Sequence, residues 1–151
     1  MTDQPTAEHA LRELDPLVGA WTLEATPPGG PPWPGGARIT FAWMEGEQLL
    51  IGRSTSEAPE APDSVCAIGC DAANGRYVQL YTDDRGVCRV YEMQIGDGEW
   101  RLFREGEPFD QRFTGRFHED GSRVDGRWET RTGDRWEVDF DLVYTREPRR
   151  R

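Results

Sequence analysis

Apolar and polar residues alternate with a period of two along the chain from residue 19 to residue 145. This period is typical of β-strands that bury one face and expose the other. Ten such stretches are present, at 19–25, 37–44, 48–55, 64–71, 76–82, 87–95, 99–105, 109–117, 122–130 and 135–145. The sequence therefore predicts an all-β protein.

The links between these stretches indicate how the strands are connected. Most links are short and carry glycine, which is typical of hairpin turns between antiparallel neighbours. A long antiparallel meander usually closes into a barrel, because closure removes the two exposed edges. The predicted fold is a single up-and-down antiparallel β-barrel of about ten strands over residues 19–145. About eight strands already suffice to hold a small ligand inside.

The segment before the first strand has a different pattern. Apolar residues at helical spacing predict a short amphipathic helix over residues 6–15, capped by Thr6 and ended by the following Pro16. A chain of 151 residues fits one domain, so we treat 1–151 as a single unit. The arginine-rich stretch 146–151 is typical of a solvated basic tail.

Charge and hydropathy exclude several classes of partner. The net charge of −10 disfavours binding to nucleic acid. No apolar run approaches the roughly 18 residues of a membrane span, and the polar N-terminus lacks the pattern of a signal peptide. These features predict a cytoplasmic protein without a membrane partner, present as a monomer or homodimer.

Motifs for catalysis and metal binding are missing from the sequence. All 18 basic residues are arginine, which excludes Schiff-base and P-loop lysine chemistry. Cys66, Cys70 and Cys88 are an odd number, and a four-residue spacing without a nearby histidine is a poor zinc site. No nucleophile elbow, His-Glu-x-x-His or dinucleotide fingerprint occurs. We predict no catalytic residue, no metal and no cofactor.

Strand parity predicts which side chains face the interior. In the last strand the apolar residues alternate with Glu137, Asp139 and Asp141, so the apolar set is expected inside. The same test places aromatic and apolar residues of three other strands inside. The predicted inward residues are Phe41, Trp43, Phe113, Phe117, Val124, Trp128, Trp136, Val138, Phe140, Leu142 and Tyr144. The interior is therefore expected to be aromatic.

Three strands also carry polar residues on the face that parity favours. Tyr77 and Tyr81 bring Gln79 inward with them, and Tyr91 and Met93 bring Arg89. The third strand would likewise bring Arg53 inward. An inward arginine is costly unless it is paired with an anion or a hydrogen-bond network. Both orientations of the two arginines, toward the cavity and toward solvent, therefore stay open.

Two links are longer than the others, PPGGPPWPGG at 27–36 and EAPEAPD at 57–63. Glycine allows tight turns and proline limits the motion of the chain, so the first is stiffer than an ordinary flexible linker. We expect both links to lie at the open mouth of the barrel. Trp33 would then cover the cavity entrance, or alternatively pack on the rim or on neighbouring prolines.

The stretch LDPLVGAW at 14–21 resembles the start of the calycin barrels, in which a short helical turn precedes a Gly-x-Trp motif, here Gly19-Ala20-Trp21. In lipocalins the tryptophan closes the barrel base and an arginine near the end of the last strand packs over it. The resemblance implies this role for Trp21 and Arg146. Through FAWMEGEQLL at 41–50 and IGCDAANGRY at 68–77, the chain is also similar to a group of small bacterial calycin-like proteins with no settled activity.

Two related families suggest functions. Nitrobindins bind haem in a similar ten-stranded barrel through a histidine, but the two histidines here, His9 and His118, fall on the leading helix and in a turn. Fatty-acid-binding proteins hold a carboxylate with an Arg-x-Tyr pair on one strand, and Arg89-Val90-Tyr91 is similar to it. This resemblance implies a carboxylate site in the barrel, although the pair lies on the sixth strand and not on the last.

The sequence therefore favours a protein that binds a small, largely apolar or amphipathic molecule inside the barrel, with a carboxylate or other acceptor group as an option. The alternative is an enzyme of the cyclase, isomerase or dehydratase type that uses the same barrel, and nitrobindin-like haem binding is a minor alternative. The predicted ligand-binding residues are Trp33, Trp43, Arg53, Gln79, Tyr81, Arg89, Tyr91, Met93, Phe113, Trp128 and Phe140.

Overall fold

A computed structural model describes residues 7–57 and 61–148 and contains a closed barrel of ten antiparallel strands. Each strand pairs with its neighbours in the sequence, and β1 also pairs with β10 to close the barrel. The predicted all-β, up-and-down barrel is therefore confirmed. The strands are β1 Gly19–Thr26, β2 Ala37–Trp43, β3 Leu50–Ser56, β4 Ser64–Asp71, β5 Arg76–Asp83, β6 Cys88–Gly96, β7 Glu99–Arg104, β8 Gln111–Phe117, β9 Arg123–Thr132 and β10 Arg135–Arg146.

The N-terminal helix is shorter than predicted. Helix α1 spans Ala7–Arg12, and a separate 3-10 helix follows at Asp15–Leu17. The backbone tightens after α1, and the N–H of Leu17 donates to the carbonyl of Leu14 at 3.0 Å. Pro16 fits within this 3-10 turn. The predicted cap Thr6 and residues 149–151 of the predicted tail lie outside the described residues. Within residues 7–57 and 61–148, no helix is long and apolar enough to cross a membrane.

One end of the barrel, here called the base, is closed by this N-terminal segment. Leu14 and Leu17 are buried, and the indole Nε1 of Trp21 donates to the Leu17 carbonyl at 2.9 Å. The guanidinium carbon of Arg146 lies 4.1 Å from the centre of the Trp21 ring. Arg146 also donates to the carbonyls of Pro16 and Val18, each at 2.6 Å. The packing that the calycin resemblance implies for Trp21 and Arg146 is present.

A stack of aromatic rings fills the half of the barrel nearest the base. Trp100 makes edge-to-face contacts with three rings, those of Phe41, Phe113 and Tyr144, at centroid distances of 6.2, 5.0 and 5.5 Å. The Phe113 ring lies so close to Gly126 of the neighbouring strand β9 that an added Cβ there would be 2.4 Å from the ring. Without a side chain at this position, the ring can lie against the strand.

The last strand is irregular, and this overturns part of the predicted interior. The pairing of β10 with β9 shifts between Val138 and Phe140, which is a β-bulge at Asp139. Phe140, Leu142 and Tyr144 face the interior as predicted, but the extra residue reverses the alternation before the bulge. The prediction was wrong for the two residues there, because Val138 pairs with Glu129 on the outer face and Trp136 packs outside. The Trp136 ring lies 4.3 Å from the guanidinium carbon of Arg112 and 6.4 Å from the Phe103 ring.

Arg146→Ala tests whether the arginine holds the base closed. Loss of its charged hydrogen bonds and of the contact with Trp21 is expected to lower the free energy of unfolding by roughly 2–4 kcal/mol. The measurement is urea unfolding followed by tryptophan fluorescence. Arg38→Ala is the control, because Arg38 makes an exposed ion pair with Glu147 beside the same end and is expected to matter little. Equal losses in the two variants would contradict the assignment.

Candidate functional site

The half of the barrel away from the base contains a cavity of about 420 Å³. Its size is within the range of small-molecule sites, roughly 300–1,000 Å³. Trp100 and Tyr144 line it, whereas Phe113, which packs on both, does not, so the aromatic stack forms the floor. The apolar walls come from Leu23, Ile39, Phe41, Leu102, Trp128, Phe140 and Leu142.

The mouth of the cavity lies at the end opposite the base. In an up-and-down barrel the links β1–β2, β3–β4, β5–β6, β7–β8 and β9–β10 share one end, and 27–36 and 57–63 are the first two. The expectation that both longer links lie at the mouth agrees with this topology, although 58–60 are outside the described residues. Trp33 is 50% exposed, and its ring contacts that of Phe140 at a centroid distance of 5.8 Å.

A polar cluster of three side chains lies on one wall. Arg89 Nη1 and the Tyr91 hydroxyl each donate to Oε1 of Gln111, both at 2.9 Å. Arg89 also lies against the ring of Phe109, with its guanidinium carbon 5.4 Å from the ring centre. Burial raises the pKa of Tyr91, so its hydroxyl stays protonated and available as a donor. All four side chains line the cavity.

A second polar group holds Arg85 and Tyr81 at the cavity. The Tyr81 hydroxyl donates to Oδ2 of Asp83 at 2.9 Å, and Arg85 Nη2 donates to the same oxygen at 2.7 Å. The Asp83 side chain is fully buried. The hydrogen bond from Arg85 is the main reason that the pKa of Asp83 is well below its ordinary value. The pKa of Tyr81 is raised to about 12, mainly because the side chain is buried and secondly because its hydroxyl donates to Asp83. Asp83 therefore positions two cavity residues.

The bulge of β10 places one carboxylate at the cavity. Asp139 lines it while remaining exposed, and partial desolvation raises its pKa above the ordinary value. Asp139 makes no hydrogen bond or ion pair within the described part of the chain. Bulges often re-aim a side chain at the rim of a barrel. The lining thus contains two arginines, Arg85 and Arg89, and one unpaired carboxylate.

Two buried polar atoms of the cavity residues lack partners. They are Oε1 of Gln79, whose residue is 6% exposed, and Nε1 of Trp100, whose residue is 2% exposed. Neither atom has a hydrogen-bond partner among residues 7–57 and 61–148. Such orphaned groups are uncommon in folded proteins, because each loses its hydrogen bond to water without replacement.

Six of the predicted residues are brought together in the cavity, and five are not. Met93 and Phe113 are buried without lining the cavity, Trp43 packs near the base beneath Arg12, and Trp33 lies at the rim against Phe140. Arg53 is exposed on the outer face of β3. The six cavity residues are Gln79, Tyr81, Arg89, Tyr91, Trp128 and Phe140.

Of the two orientations that stayed open for the arginines, Arg89 adopts the inward one and Arg53 the outward one. The inward residues of β3 are Leu50, Gly52 and Ser54, and Ser54 lines the cavity. The reason lies at Gly52, where an added Cβ would be 2.7 Å from both Phe41 and Cys66. Neighbouring side chains occupy the inward space of β3, and this packing, which the pattern of β3 itself does not show, accounts for the outward orientation of Arg53.

Several cavity residues were not predicted from the sequence, among them Gln111, Trp100, Arg85 and Asp139. Gln111 shares strand parity with Phe113, and Trp100 alternates with Arg101 in β7, so parity alone could have found both. Arg85 lies in a turn, and Asp139 is inward only because of the bulge. No period-two pattern could have placed these last two.

The positions of the candidate ligands give little support to haem or metal binding in the cavity. His9 and His118 are both exposed and lie beside Glu13 and Asp125, not in the cavity. Burial raises the pKa of the Cys66 thiol, which lines the cavity, to about 12. In the described ranges, no three His, Cys, Asp or Glu residues are grouped closely enough to hold a metal ion.

Comparison with known proteins adds no family assignment: no protein-family model matches the chain, and no curated protein matches it. The architecture itself is compatible with the calycin fold, since a short helix precedes a closed ten-stranded antiparallel barrel.

Asp83→Asn tests the second polar group. The lowered pKa means that the ionised carboxylate stabilises the fold above its ordinary pKa of 3.8, and that this contribution is lost as the pH falls toward the lowered value. The variant is expected to lose about 1–3 kcal/mol of unfolding free energy near pH 7 and to depend less on pH in the acid range. Urea unfolding near pH 7 and pH 3 measures both.

Asp84→Asn is the matched control, because Asp84 is adjacent and exposed. It is expected to change neither the stability at neutral pH nor its acid dependence. An Asp83→Asn protein with the acid dependence of the wild type would contradict the role of this carboxylate.

Proposed function

We propose that this protein binds a small, largely apolar molecule in the barrel cavity, with an acceptor group such as a carboxylate held by Arg89. The observation that carries the proposal is the aromatic cavity of about 420 Å³ with the Arg89, Tyr91 and Gln111 cluster in its wall. We also infer that the chain is a calycin-like protein. The Gly-x-Trp start, the arginine over Trp21 and the barrel support this inference.

The apolar walls supply the affinity for the main body of the ligand. Removal of apolar surface from water contributes roughly 25 cal/mol per Å². The floor and the walls present aromatic faces and edges, against which rings and alkyl chains both pack well. A mainly hydrocarbon ligand therefore suits this space better than a sugar or a nucleotide.

Arg89 supplies the site for the acceptor group of the ligand, here called the acceptor site. Its guanidinium has five donors, and one of them is used by Gln111. Tyr91 and Gln111 fix its position, so little side-chain entropy is lost when a ligand binds. A ligand carboxylate can accept charge-assisted hydrogen bonds from the remaining donors. Asp83 engages Arg85, so Arg89 is the stronger candidate of the two cavity arginines.

Asp139 is the feature that favours the enzyme alternative, because a carboxyl group with a raised pKa is suited to proton transfer. General acid and base chemistry on a substrate usually needs a second group that titrates near neutral pH. The other charged side chains of the lining are arginines, which stay protonated. Binding is therefore the preferred function.

Arg89→Leu tests the acceptor site with decanoate and decan-1-ol as probes. The variant is expected to bind decanoate roughly tenfold or more weakly, because a hydrogen bond to a charged group contributes about 1.5–3 kcal/mol. The affinity for decan-1-ol is expected to change little. Tryptophan fluorescence titration and native mass spectrometry measure both.

Arg53→Leu is the matched control, since Arg53 points to solvent and its loss is expected to leave both affinities unchanged. Equal losses for the acid and the alcohol in Arg89→Leu would contradict the role of Arg89. A wild-type protein that binds neither probe would count against the proposed function itself.

Trp33→Ala tests the rim. Trp33 is half exposed and contacts the cavity residue Phe140, so its loss is expected to speed the release of decanoate more than it lowers the melting temperature. Stopped-flow displacement and thermal unfolding measure the two effects. Trp136→Ala is the control, as Trp136 lies on the outer face of the strand that carries Phe140. A large fall in melting temperature with unchanged release would make Trp33 part of the core packing.

A further inference from the structure

The two orphaned polar atoms of the cavity are of opposite type. Gln79 Oε1 is an acceptor and Trp100 Nε1 is a donor. Both residues are more than nine-tenths buried and line the cavity. Their hydrogen bonds are not made by other side chains or by the backbone within the described ranges, so the cavity is the remaining direction from which a partner can come.

These atoms lie nearer the base than Arg89. Arg89 is paired with Tyr81, whereas Gln79 precedes Tyr81 by two residues on the same face of β5 and is paired with Tyr91. That spacing is roughly 7 Å along a strand. Trp100 belongs to the floor, beside Phe41 and Tyr144. A ligand whose acid group is at Arg89 therefore has its far end near this donor and acceptor.

The part of the cavity around Gln79 and Trp100 is here called the lower cavity. Its chemistry restricts which chemical group the far end of the ligand can carry. The neighbours of Trp100 are aromatic rings, so a charged group there would be desolvated without a counterion. A purely apolar end would leave the Gln79 and Trp100 atoms unpaired. A hydroxyl is neutral and can both donate a hydrogen bond and accept one.

We infer that the lower cavity, at Gln79 Oε1 and Trp100 Nε1, binds a hydroxyl group of the ligand. The ligand class is then an amphipathic hydroxy acid, with the acid group at Arg89 and the hydroxyl near the floor. This inference rests on the proposed function and adds a second polar contact to it. A bound water has the same donor and acceptor capacity, so the test must separate the two.

The test compares octanoate, decanoate and dodecanoate with their ω-hydroxy counterparts by isothermal titration calorimetry. Three chain lengths are used so that one hydroxyl reaches the floor. With the wild type, at least one hydroxy acid is expected to bind roughly fivefold to tenfold more tightly than its parent acid. A retained water would already satisfy both atoms, so the hydroxyl would give no gain.

Gln79→Leu and Trp100→Phe each remove one of the polar atoms and keep most of the side-chain volume. The preference for the hydroxy acid is expected to fall toward unity in at least one of them, while the parent acid still binds. Gln79→Leu is also expected to melt at the same temperature as the wild type or higher, because it removes an unpaired group. Met93→Leu is the control, since Met93 is buried outside the cavity lining.

The outcomes separate the two proposals. Equal binding of acids and hydroxy acids by the wild type, or a preference that persists in both variants, would overturn the hydroxyl site and leave the proposed function standing. A wild type that binds none of the six acids would overturn both. A preference lost in Gln79→Leu or Trp100→Phe and kept in Met93→Leu would support the hydroxyl site.

Discussion

The pairing of β1 with β10 is the constraint on which the rest of the structure depends. It joins segments more than a hundred residues apart, from Trp21 opposite Arg146 to Thr26 opposite Asp141. Without it the sheet would have two open edges and no interior. Arg146 strengthens this closure, because it covers Trp21 and binds the carbonyls of the turn that leads into β1. The same residues that close the sheet also close one end of the barrel.

Closure of the sheet creates an interior, and the side chains that face it determine how much of that interior is empty. Large rings fill the half near the base, where the Phe113 ring takes the space that a side chain at Gly126 would need. Toward the mouth the inward side chains become smaller, including Ser54 and Ser64. The cavity is thus the part of the interior that the aromatic stack leaves free. Its polar groups lie at different depths, which favours a ligand with two ends of different chemistry.

The fold could be predicted from the sequence because the patterns that determine it lie within single strands and turns. Each strand carries its own alternation, and each short glycine turn fixes an antiparallel neighbour. The same parity placed Gln79, Tyr81 and Tyr91 in the interior, but it left the orientation of Arg89 open. It failed where one strand responds to another: at Gly52, where the side chain of Phe41 takes the inward space, and at Asp139, where an extra residue reverses the pattern. Hydrogen-bond partners such as Gln111 for Arg89 depend on packing between strands, which a single-strand pattern does not contain.

The aromatic floor has a consequence for how this barrel can change. The depth of the cavity is set by the rings of Trp100 and Tyr144 and not by the number or the register of the strands. Substitutions among those rings and Phe113 would lengthen or shorten the space by about one ring while the hydrogen-bonded wall stayed the same. The aromatic floor thus sets the length of the open space, and substitutions of a few interior residues would alter that length without altering the barrel.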